Sequence, residues 1–290
     1  MTANPASKTI LVTGANGQLG SELRVLAGSF PQYHFLFTGS NELDISNESA
    51  VHTFFRENKI DHCINCAAYT AVDKAETERD TAMKVNSAGP ANLAAACKEF
   101  NAKLIHISTD YVFNGKADSP YSPDDATDPV NFYGSTKLSG EQKALAANKD
   151  IIIIRTAWVY SSFGNNFVKT MIRLMKEKQG ISVVADQHGT PTYAADLAAA
   201  IMQIISSGRF EPGIYHYSDR GPTTWFAFAQ EIASKLGTTC EVKPITTAEY
   251  PTPAARPAYS VLDTTKIVSV FGVAVPGWKN SLEKCMEKLK

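Results

Sequence analysis

The chain has 290 residues, 44% of them hydrophobic and 20% charged, and its formal net charge is −1 at pH 7. This composition is ordinary for a globular protein with one large domain or a domain and a smaller lobe. Because it has no block of like charge, no apolar run of ~18 residues and no apolar secretion core in 1–7, we expect a cytoplasmic protein that binds neither nucleic acid nor membrane.

Short apolar runs alternate with amphipathic stretches along the chain. Buried strands are predicted at 9–13, 33–38, 63–66, 103–108 and 151–155. Helices are predicted at 49–58, 81–100, 133–148, 167–178, 194–206, 224–236 and from 278 to the end. This alternation predicts an α/β fold, a Rossmann-type doubly wound parallel sheet with a smaller α/β C-terminal substrate lobe. We assign 1–160, with about 192–220, to the nucleotide-binding domain, and about 161–191 and 221–290 to the lobe.

A glycine-rich turn directly follows the first predicted strand and opens a helix. Its spacing is Gly-x-x-Gly-x-x-Gly rather than Gly-x-Gly-x-x-Gly. Glycine permits the tight turn, the approach of a pyrophosphate to the backbone and close helix–strand packing, while the helix N-terminus faces the phosphates. An ordinary glycine-rich turn is the alternative. The context favours nucleotide binding by the residues Gly14, Asn16, Gly17, Gln18, Leu19 and Gly20.

The second predicted strand ends without the acidic residue that would bind the ribose 2′-hydroxyl of NAD. It ends in Thr38-Gly39-Ser40-Asn41, and the first acid is Glu42. The absence leaves room for a 2′-phosphate, yet no Arg or Lys is there to pair with one. NADP and NAD therefore both stay open as the cofactor, with NADP slightly ahead. Asp44 and Ile45 follow as candidates for adenine contact, although Asp44 and Ser46 also suit a helix N-cap loop.

A Tyr-x-x-x-Lys pair, Tyr133 and Lys137, opens the helix that follows the fourth strand. This spacing puts both side chains on one helix face, where the ammonium is expected to lower the tyrosine pKa from ~10. Such a tyrosine can protonate a carbonyl oxygen. Thr109 stands at the carboxyl end of the fourth strand, where its hydroxyl could polarise the same carbonyl.

The order of these motifs resembles the extended short-chain dehydrogenase/reductase family, whose catalytic triad is Ser/Thr, Tyr and Lys. The resemblance covers essentially the full chain. Within that family, the joined motifs are similar to the dTDP-4-dehydrorhamnose reductases, and they lie at 14–20, 43–45, 65–73, 75–76, 85–86, 108–113, 133–137, 155–160, 186–187 and 189–192.

The resemblance implies reduction of dTDP-4-dehydro-L-rhamnose at carbon 4 to dTDP-L-rhamnose, by hydride transfer from NADPH or NADH. Thr109, Tyr133 and Lys137 would be catalytic, with Tyr133 as the proton donor and Lys137 also on the nicotinamide ribose. Further residues match positions beside the cofactor, namely Ala67, Ala68 and Tyr69. The nucleotide-sugar substrate would be bound by Val72, Asn86, Thr109, Tyr111, Trp158 and Arg256.

Three of these substrate positions have a plainer alternative. Trp158 would offer an apolar face to sugar C–H groups, but it could also be a core aromatic. Arg256 would clamp the substrate diphosphate bidentately, or form a surface ion pair. Asn86 would support the site, or make a hydrogen bond inside a helix.

Some relatives carry magnesium at a dimer contact, so the resemblance also raises a homodimer and a metal site. Glu22 matches one ligand position, but Asp196 is the only acid in the other matching segment. A solvated helix carboxylate is therefore the expected role of Glu22, and magnesium is left undecided.

Two alternatives to the reductase remain at this point. One is an epimerase or another enzyme acting on nucleotide sugars, which would retain its cofactor and show no net redox change. The other is a non-catalytic nucleotide-binding subunit resembling the regulatory subunit of methionine adenosyltransferase. The intact Thr109, Tyr133 and Lys137 argue against that second alternative.

Overall fold

A computed structural model describes residues 7–289 of the chain. The stretch 1–6, on which the expected absence of a secretion core largely rests, lies outside the described residues. So does residue 290, where the last predicted helix was expected to end. No helix in the described part of the chain is both long and apolar enough to cross a membrane.

Strands and helices alternate through the first part of the chain. The strands there are β1 (Lys8–Thr13), β2 (Tyr33–Thr38), β3 (His62–Asn65), β4 (Lys103–Thr109), β5 (Ile151–Thr156) and β6 (Val159–Tyr160). The helices are α1 (Gln18–Ala27), α2 (Glu48–Asn58), α3 (Val72–Ala75), α4 (Arg79–Met83), α5 (Gly89–Glu99) and α6 (Phe132–Ala147).

The later part of the chain adds shorter strands. They are β7 (Gly180–Val184), β8 (His188–Gly189), β9 (Thr192–Tyr193), β10 (Gly213–His216), β11 (Thr223–Thr224) and β12 (Glu241–Ile245). The remaining helices are α7 (Phe167–Glu177), α8 (Ala194–Ser206), α9 (Trp225–Leu236), α10 (Thr265–Phe271) and α11 (Trp278–Glu287).

Six strands form one parallel sheet in the order β10-β5-β4-β3-β1-β2. The order reverses between β1 and β3, as in a doubly wound nucleotide-binding sheet. Every residue of β5 is buried, which suits a strand covered by helices on both faces of the sheet. The predicted Rossmann-type fold is therefore confirmed.

Helices cover the sheet on both sides. One apolar cluster joins α1 and α8 to one face of the sheet, and its buried residues include Leu23 and Ile201. A second cluster joins α2, α5 and α6 to the other face, with Phe55, Leu93 and Ala144 among its buried residues. The carboxyl ends of the strands are thereby held between two layers of helices.

A smaller lobe has its own core, built mainly from α7, α9 and α11 with β7 and β12. Its buried residues include Met171, Phe228 and Leu282. The predicted lobe is thus present, and the boundaries near 160, 192 and 220 stay a prediction. The sequence missed β12 because Pro244 interrupts it; β12 pairs only with β7, and proline is tolerated on such an edge.

The helix predicted over 81–100 is three helical pieces in succession. A π-helical turn at Lys84–Ala88 separates α4 from α5. Pro90 lies just beyond it and has no backbone N–H to continue the α-helical pattern. Turns of this kind are often found at functional sites, and this one carries Asn86.

Candidate active site

A cavity of about 860 Å³ opens at the carboxyl edge of the six-stranded sheet. Each of five strands contributes a residue at or just beyond its end to the lining, namely Gly14, Gly39, Cys66, Thr109 and Thr156. Ligands of open parallel sheets bind at this edge, where the strand order reverses. The cavity therefore lies where the fold class places a ligand.

Most of the predicted site residues line this cavity. They are Gly14, Asn16, Gly17, Gln18, Leu19, Asp44, Ile45, Ala67, Ala68, Tyr69, Val72, Thr109, Tyr111, Tyr133, Lys137 and Trp158. Within 7–289, the predicted residues Gly20, Asn86 and Arg256 do not line it, nor does Glu22. The sequence thus identified the main walls of the cavity, and the ligand contacts expected of Gly20, Asn86 and Arg256 stay predictions.

The glycine turn has the geometry of a phosphate cradle. Gly14 has a φ of 65°, and a Cβ there would stand 2.5 Å from the backbone nitrogen of Ala67. A Cβ at Gly20 would stand 2.5 Å from the Cα of Ala15, so this third glycine serves helix packing and not the cavity. Gly17 caps α1 without a side-chain hydrogen bond, which leaves the positive helix N-terminus facing the cavity.

An acidic side chain does reach the end of β2. Glu42 Oε2 accepts a hydrogen bond of 2.8 Å from the backbone N–H of Gly39. A Cβ at Gly39 would meet the side chains of both Glu42 and Asn16, so these two side chains converge there. Asp44 accepts hydrogen bonds from Ser46 and also lines the cavity, while Asn47 caps α2 and the adenine contact of Asp44 stays a prediction.

Asn131 fixes the start of α6 and thereby places Tyr133 and Lys137. Its side-chain oxygen accepts a hydrogen bond of 2.7 Å from the backbone N–H of Gly134. Such a cap stabilises a helix by about 1 kcal/mol and fixes where it starts. Tyr133 then lies in the first turn and Lys137 one turn later, both buried and both on the cavity.

Thr109 and Asp110 form a short polar chain beside Tyr133. Thr109 Oγ1 donates to Asp110 Oδ1 at 3.0 Å and accepts a hydrogen bond of 3.2 Å from the backbone N–H of Tyr111. Burial raises the pKa of Asp110 to about 6. Oδ2 of Asp110 is buried and has no hydrogen-bond partner within the described residues.

The pKa of Tyr133 differs from the sequence expectation. Burial raises the pKa of Tyr133 above its usual value, and a hydrogen bond to Thr109 only partly opposes this. Lys137 Nζ donates to the carbonyl of Ile107 at 2.7 Å. The lowered tyrosine pKa expected from Lys137 is therefore wrong here, because burial raises the pKa, Asp110 raises it further, and the Lys137 ammonium bonds to Ile107. Tyr133 is held as a neutral phenol, the form that can donate a proton.

A buried ion pair lies one helical turn beyond Lys137. Glu141 and Arg155 are both almost fully buried, and Arg155 Nη2 lies 2.7 Å from Glu141 Oε2. Ser108 also donates to Glu141. Burial lowers the pKa of Lys137 to about 8, and the Glu141 carboxylate opposes that lowering.

Asn86 is buried behind the cavity wall. Its side chain exchanges hydrogen bonds of 2.8 and 3.0 Å with the backbone N–H and carbonyl of Tyr69, and donates to Thr136 Oγ1 at 3.0 Å. Asn86 is not among the described residues that line the cavity, and its expected substrate contact stays a prediction. Its geometry suits support of the segment that carries Tyr69, because it joins that segment to α6.

Arg256 forms an ion pair with Asp73, next to the predicted substrate residue Val72. Its two terminal nitrogens lie 2.5 and 2.8 Å from the Asp73 carboxylate oxygens. Asp73 also accepts a hydrogen bond from the backbone N–H of Ala254. This pairing matches the ion-pair alternative and joins the C-terminal segment to α3.

Glu22 is buried and not the solvated carboxylate that the sequence suggested. Its side chain accepts a hydrogen bond of 2.6 Å from Ser161 and lies 3.5 Å from Lys288 Nζ. Both partners are far away in sequence, which is why this expectation was wrong. The described residues contain no group of three or more His, Cys, Asp or Glu side chains arranged for a metal ion.

Trp158 lies in an aromatic stack at the cavity wall. Its ring and that of Trp225 are 3.5 Å apart between centroids, with an interplanar angle of 10°. The backbone of Trp158 is left-handed, with a φ of 46°, which is unusual for a bulky residue. Phe167 contacts Trp225, with the centroids of the two rings 4.6 Å apart.

Some cavity residues escaped the sequence prediction. Asn166 caps α7 and donates a hydrogen bond of 2.9 Å to Gln18, which brings the segment after β6 over the glycine turn. An asparagine immediately before a predicted helix was a usable signal for Asn166. The end of β2, where the sequence already suggested the cofactor ribose, contributes Gly39 and Ser40. No local signal pointed to the other missed residues, which include Thr156, Gly164, Leu197 and Trp225.

Comparison with known proteins gives a consistent result. Residues 8–290 match the model of the RmlD substrate binding domain family. A dTDP-4-dehydrorhamnose reductase of Mycolicibacterium smegmatis is 44% identical over 96% of this chain and 84% of its own length.

Two solved structures are similarly close. A dTDP-4-dehydrorhamnose reductase of Clostridium acetobutylicum is 44% identical, with a TM-score of 0.93 over 97% of this chain and 99% of that one. The enzyme of that name from Bacillus anthracis, in complex with NADP, is 41% identical with the same TM-score and coverage. With a fold, a cavity and a full-length match in agreement, the chain belongs to the RmlD substrate binding domain family.

Proposed function

We propose that the protein reduces dTDP-4-dehydro-L-rhamnose to dTDP-L-rhamnose with NADPH or NADH. The observation that carries the proposal is that Thr109, Tyr133 and Lys137 line one cavity together with the glycine turn. Relatives that share 41–44% of the sequence over nearly the whole chain bear the name of that reductase. The proposal therefore joins a site of suitable chemistry to a family with the matching activity.

The described residues fit a dinucleotide cofactor. Gly14 and Gly17 with the N-terminus of α1 would hold the pyrophosphate, since a Cβ at Gly14 would collide with Ala67. Ile45 and Asp44 would contact the adenosine, and the cavity wall at Ala67–Tyr69 would run along the ribose. When bound, the nicotinamide supplies the hydride that reaches carbon 4.

Tyr133 would donate the proton that completes the reduction. Its hydroxyl is kept neutral by burial, so the proton is present when negative charge develops on the carbon-4 oxygen. Thr109 would donate its single hydroxyl proton to the same oxygen after turning it away from Asp110, to which it donates in the described structure. Lys137 would bind the nicotinamide ribose and supply positive charge beneath the reacting oxygen.

Val72, Tyr111 and Trp158 would enclose the sugar. Tyr111 contacts Tyr133 edge-on, with ring centroids 5.8 Å apart, so a sugar held on Tyr111 would lie next to the proton donor. Arg256 would reach the diphosphate by sharing or exchanging its bond to Asp73, and Asn86 would hold Tyr69 in place.

The slight preference for NADPH stays a prediction, and Glu42 is the residue that opposes it. The carboxylate at the end of β2 can accept a hydrogen bond from a ribose hydroxyl, and it would repel a 2′-phosphate. Magnesium and a homodimer also stay predictions, and the pairing of Glu22 with Lys288 and Ser161 gives no support to a metal at Glu22.

The test is an assay of the purified protein with dTDP-4-dehydro-L-rhamnose and either cofactor, following the loss of nicotinamide absorbance. We expect stoichiometric oxidation of the cofactor and formation of dTDP-L-rhamnose. Cofactor that stays bound while the sugar is isomerised without net oxidation would instead identify an epimerase. Nucleotide binding without turnover, together with a stable foreign partner, would identify a regulatory subunit.

A further inference from the structure

The aromatic stack at the cavity wall leaves Trp158 with neither ring face open. One face lies against Trp225, with ring centroids 3.5 Å apart. A Cβ at Gly189 would stand 2.5, 2.7 and 2.8 Å from three adjacent ring atoms, Cε2, Cζ2 and Nε1. Nearly equal distances to three neighbouring atoms mean that Gly189 approaches the ring perpendicular to its plane. Trp225 stacks on Trp158 with ring centroids 3.5 Å apart, which leaves no room for Gly189 on the face that Trp225 covers. Gly189 therefore covers the opposite face of Trp158.

Trp158 nevertheless lines the cavity, so it must do so with the rim of its indole. The rim and the face of an aromatic ring are chemically opposite. The face carries partial negative charge and suits C–H groups, whereas the rim carries partial positive charge and an N–H donor. The rim is therefore complementary to sugar oxygens, and the sugar C–H contact expected for the face of this residue is blocked.

The backbone of Trp158 shows that this orientation is held in place. A φ of 46° is costly for a bulky residue and persists only where its surroundings enforce it. Trp225, Gly189 and the hydrogen bond of 3.2 Å from the backbone N–H of Thr192 to the Trp158 carbonyl supply that constraint. Trp225 is in turn supported by Phe167.

We infer that Trp225 is a specificity-determining, positioning residue of the sugar site. It holds the indole of Trp158 edge-on, so that the rim recognises a hydroxyl or keto oxygen of the nucleotide-linked sugar. The inference rests on the proposed function for the identity of that sugar. It differs from it in assigning the selectivity to Trp225, which comes from a distant part of the chain.

The test compares Trp225→Leu, which removes the stack, with Trp225→Phe, which keeps an aromatic partner. In Trp225→Leu we expect the KM for dTDP-4-dehydro-L-rhamnose to rise about tenfold while kcat changes by less than about threefold. The reason is that Trp158 is no longer held in the orientation in which its rim binds the sugar. The affinity for dTDP, which lacks the linked 6-deoxyhexose, should not change. Trp225→Phe should restore the KM to within about twofold of the wild type.

Trp278→Phe is the matched control, because this third tryptophan packs edge-on against Phe228, away from the cavity. It should leave both the KM and the exciton couplet of stacked indoles in the circular dichroism spectrum unchanged. A normal KM in folded Trp225→Leu would overturn the inference, and so would an equal loss of affinity for dTDP.

A measurement on the wild type covers the case in which Trp225→Leu does not fold. Binding of dTDP-L-rhamnose should leave the exciton couplet in place, because the rim can contact the sugar without breaking the stack. Loss of the couplet would mean that Trp158 leaves the stack to offer its face, which contradicts the inference. A wild type that reduces no keto sugar but keeps the couplet refutes the proposed function alone.

Discussion

Lys137 donates a hydrogen bond from Nζ to the carbonyl of Ile107, with the two atoms 2.7 Å apart. This bond anchors the ammonium to the main chain of β4, two residues before Thr109. The Lys137 ammonium is consequently hydrogen-bonded to the backbone of the sheet and not to Tyr133. Its protonation is set by burial and by Glu141, which gives the site a titration that can be measured.

The pH dependence should follow Lys137. Because burial lowers its pKa to about 8, the ammonium is present below that pH and lost above it. We expect kcat/KM to fall as the pH rises through about 8, in a profile measured with saturating cofactor. A flat profile up to pH 10 would contradict the role given to the lysine charge.

The lowered pKa of Lys137 also makes the stability of the protein depend on pH. The unfolded chain keeps the lysine proton up to about 10.5, whereas the folded protein releases it near 8. The free energy of unfolding contributed by this group should therefore rise between those two values. Urea titrations of wild type and Lys137→Met should diverge in that pH interval, and parallel curves would refute it.

Replacing Tyr133 by Phe should remove the proton donor with little change to the pocket. We expect turnover to fall by about 100-fold or more, as for the loss of a positioned acid. Cofactor affinity, measured by fluorescence titration, should stay close to wild type because the ring is retained. Wild-type turnover in Tyr133→Phe would assign the proton to another group.

Glu42 should discriminate between the two cofactors. Glu42→Gln removes a negative charge at the end of β2, so we expect the ratio of kcat/KM for NADPH over NADH to rise by about fivefold, equivalent to ~1 kcal/mol of repulsion. Glu48→Gln, an exposed residue at the start of α2, is the control and should not alter the ratio. An unchanged ratio in Glu42→Gln would show that the ribose 2′-substituent of the cofactor does not lie near Glu42.

The buried pair of Glu141 and Arg155 should matter strongly for stability. Glu141→Ala leaves a buried guanidinium without its carboxylate, a change that costs about 3–5 kcal/mol. The exposed pair of Arg173 and Glu177 is the control, and Glu177→Ala should cost less than about 1 kcal/mol. Chemical denaturation compares the two, and equal losses would contradict the cost expected for an uncompensated buried charge.

The sequence predicted those parts of the molecule that rest on local patterns. The strand at Tyr33–Thr38 and the helix at Ala194–Ser206 have the predicted bounds, because their periodicity and turn residues are self-contained. The two-residue strands such as β6 and β9 are too short for any periodicity to appear. The cavity was predicted where motifs follow strand ends, as at Thr109 and Gly14.

The sequence failed where a property depends on distant neighbours. Glu22 is buried by Ser161 and Lys288, and the pKa of Tyr133 is set by the layers around it. Trp225 contacts Trp158 only because the smaller lobe packs against the sheet. None of these relationships leaves a signal within a window of adjacent residues, so only the fold reveals them.

The place of β10 in the sheet bears on how the chain is made. Until Gly213–His216 emerges from the ribosome, the apolar strand β5 is an open edge of the growing sheet, for several seconds at about 5–20 residues per second. Such an edge can pair with another chain. The four residues of β10 then pair with β5, so that the exposed edge strand is β10, which is shorter than β5. A nascent chain stalled before Gly213 should therefore depend on chaperones more than one released beyond His216.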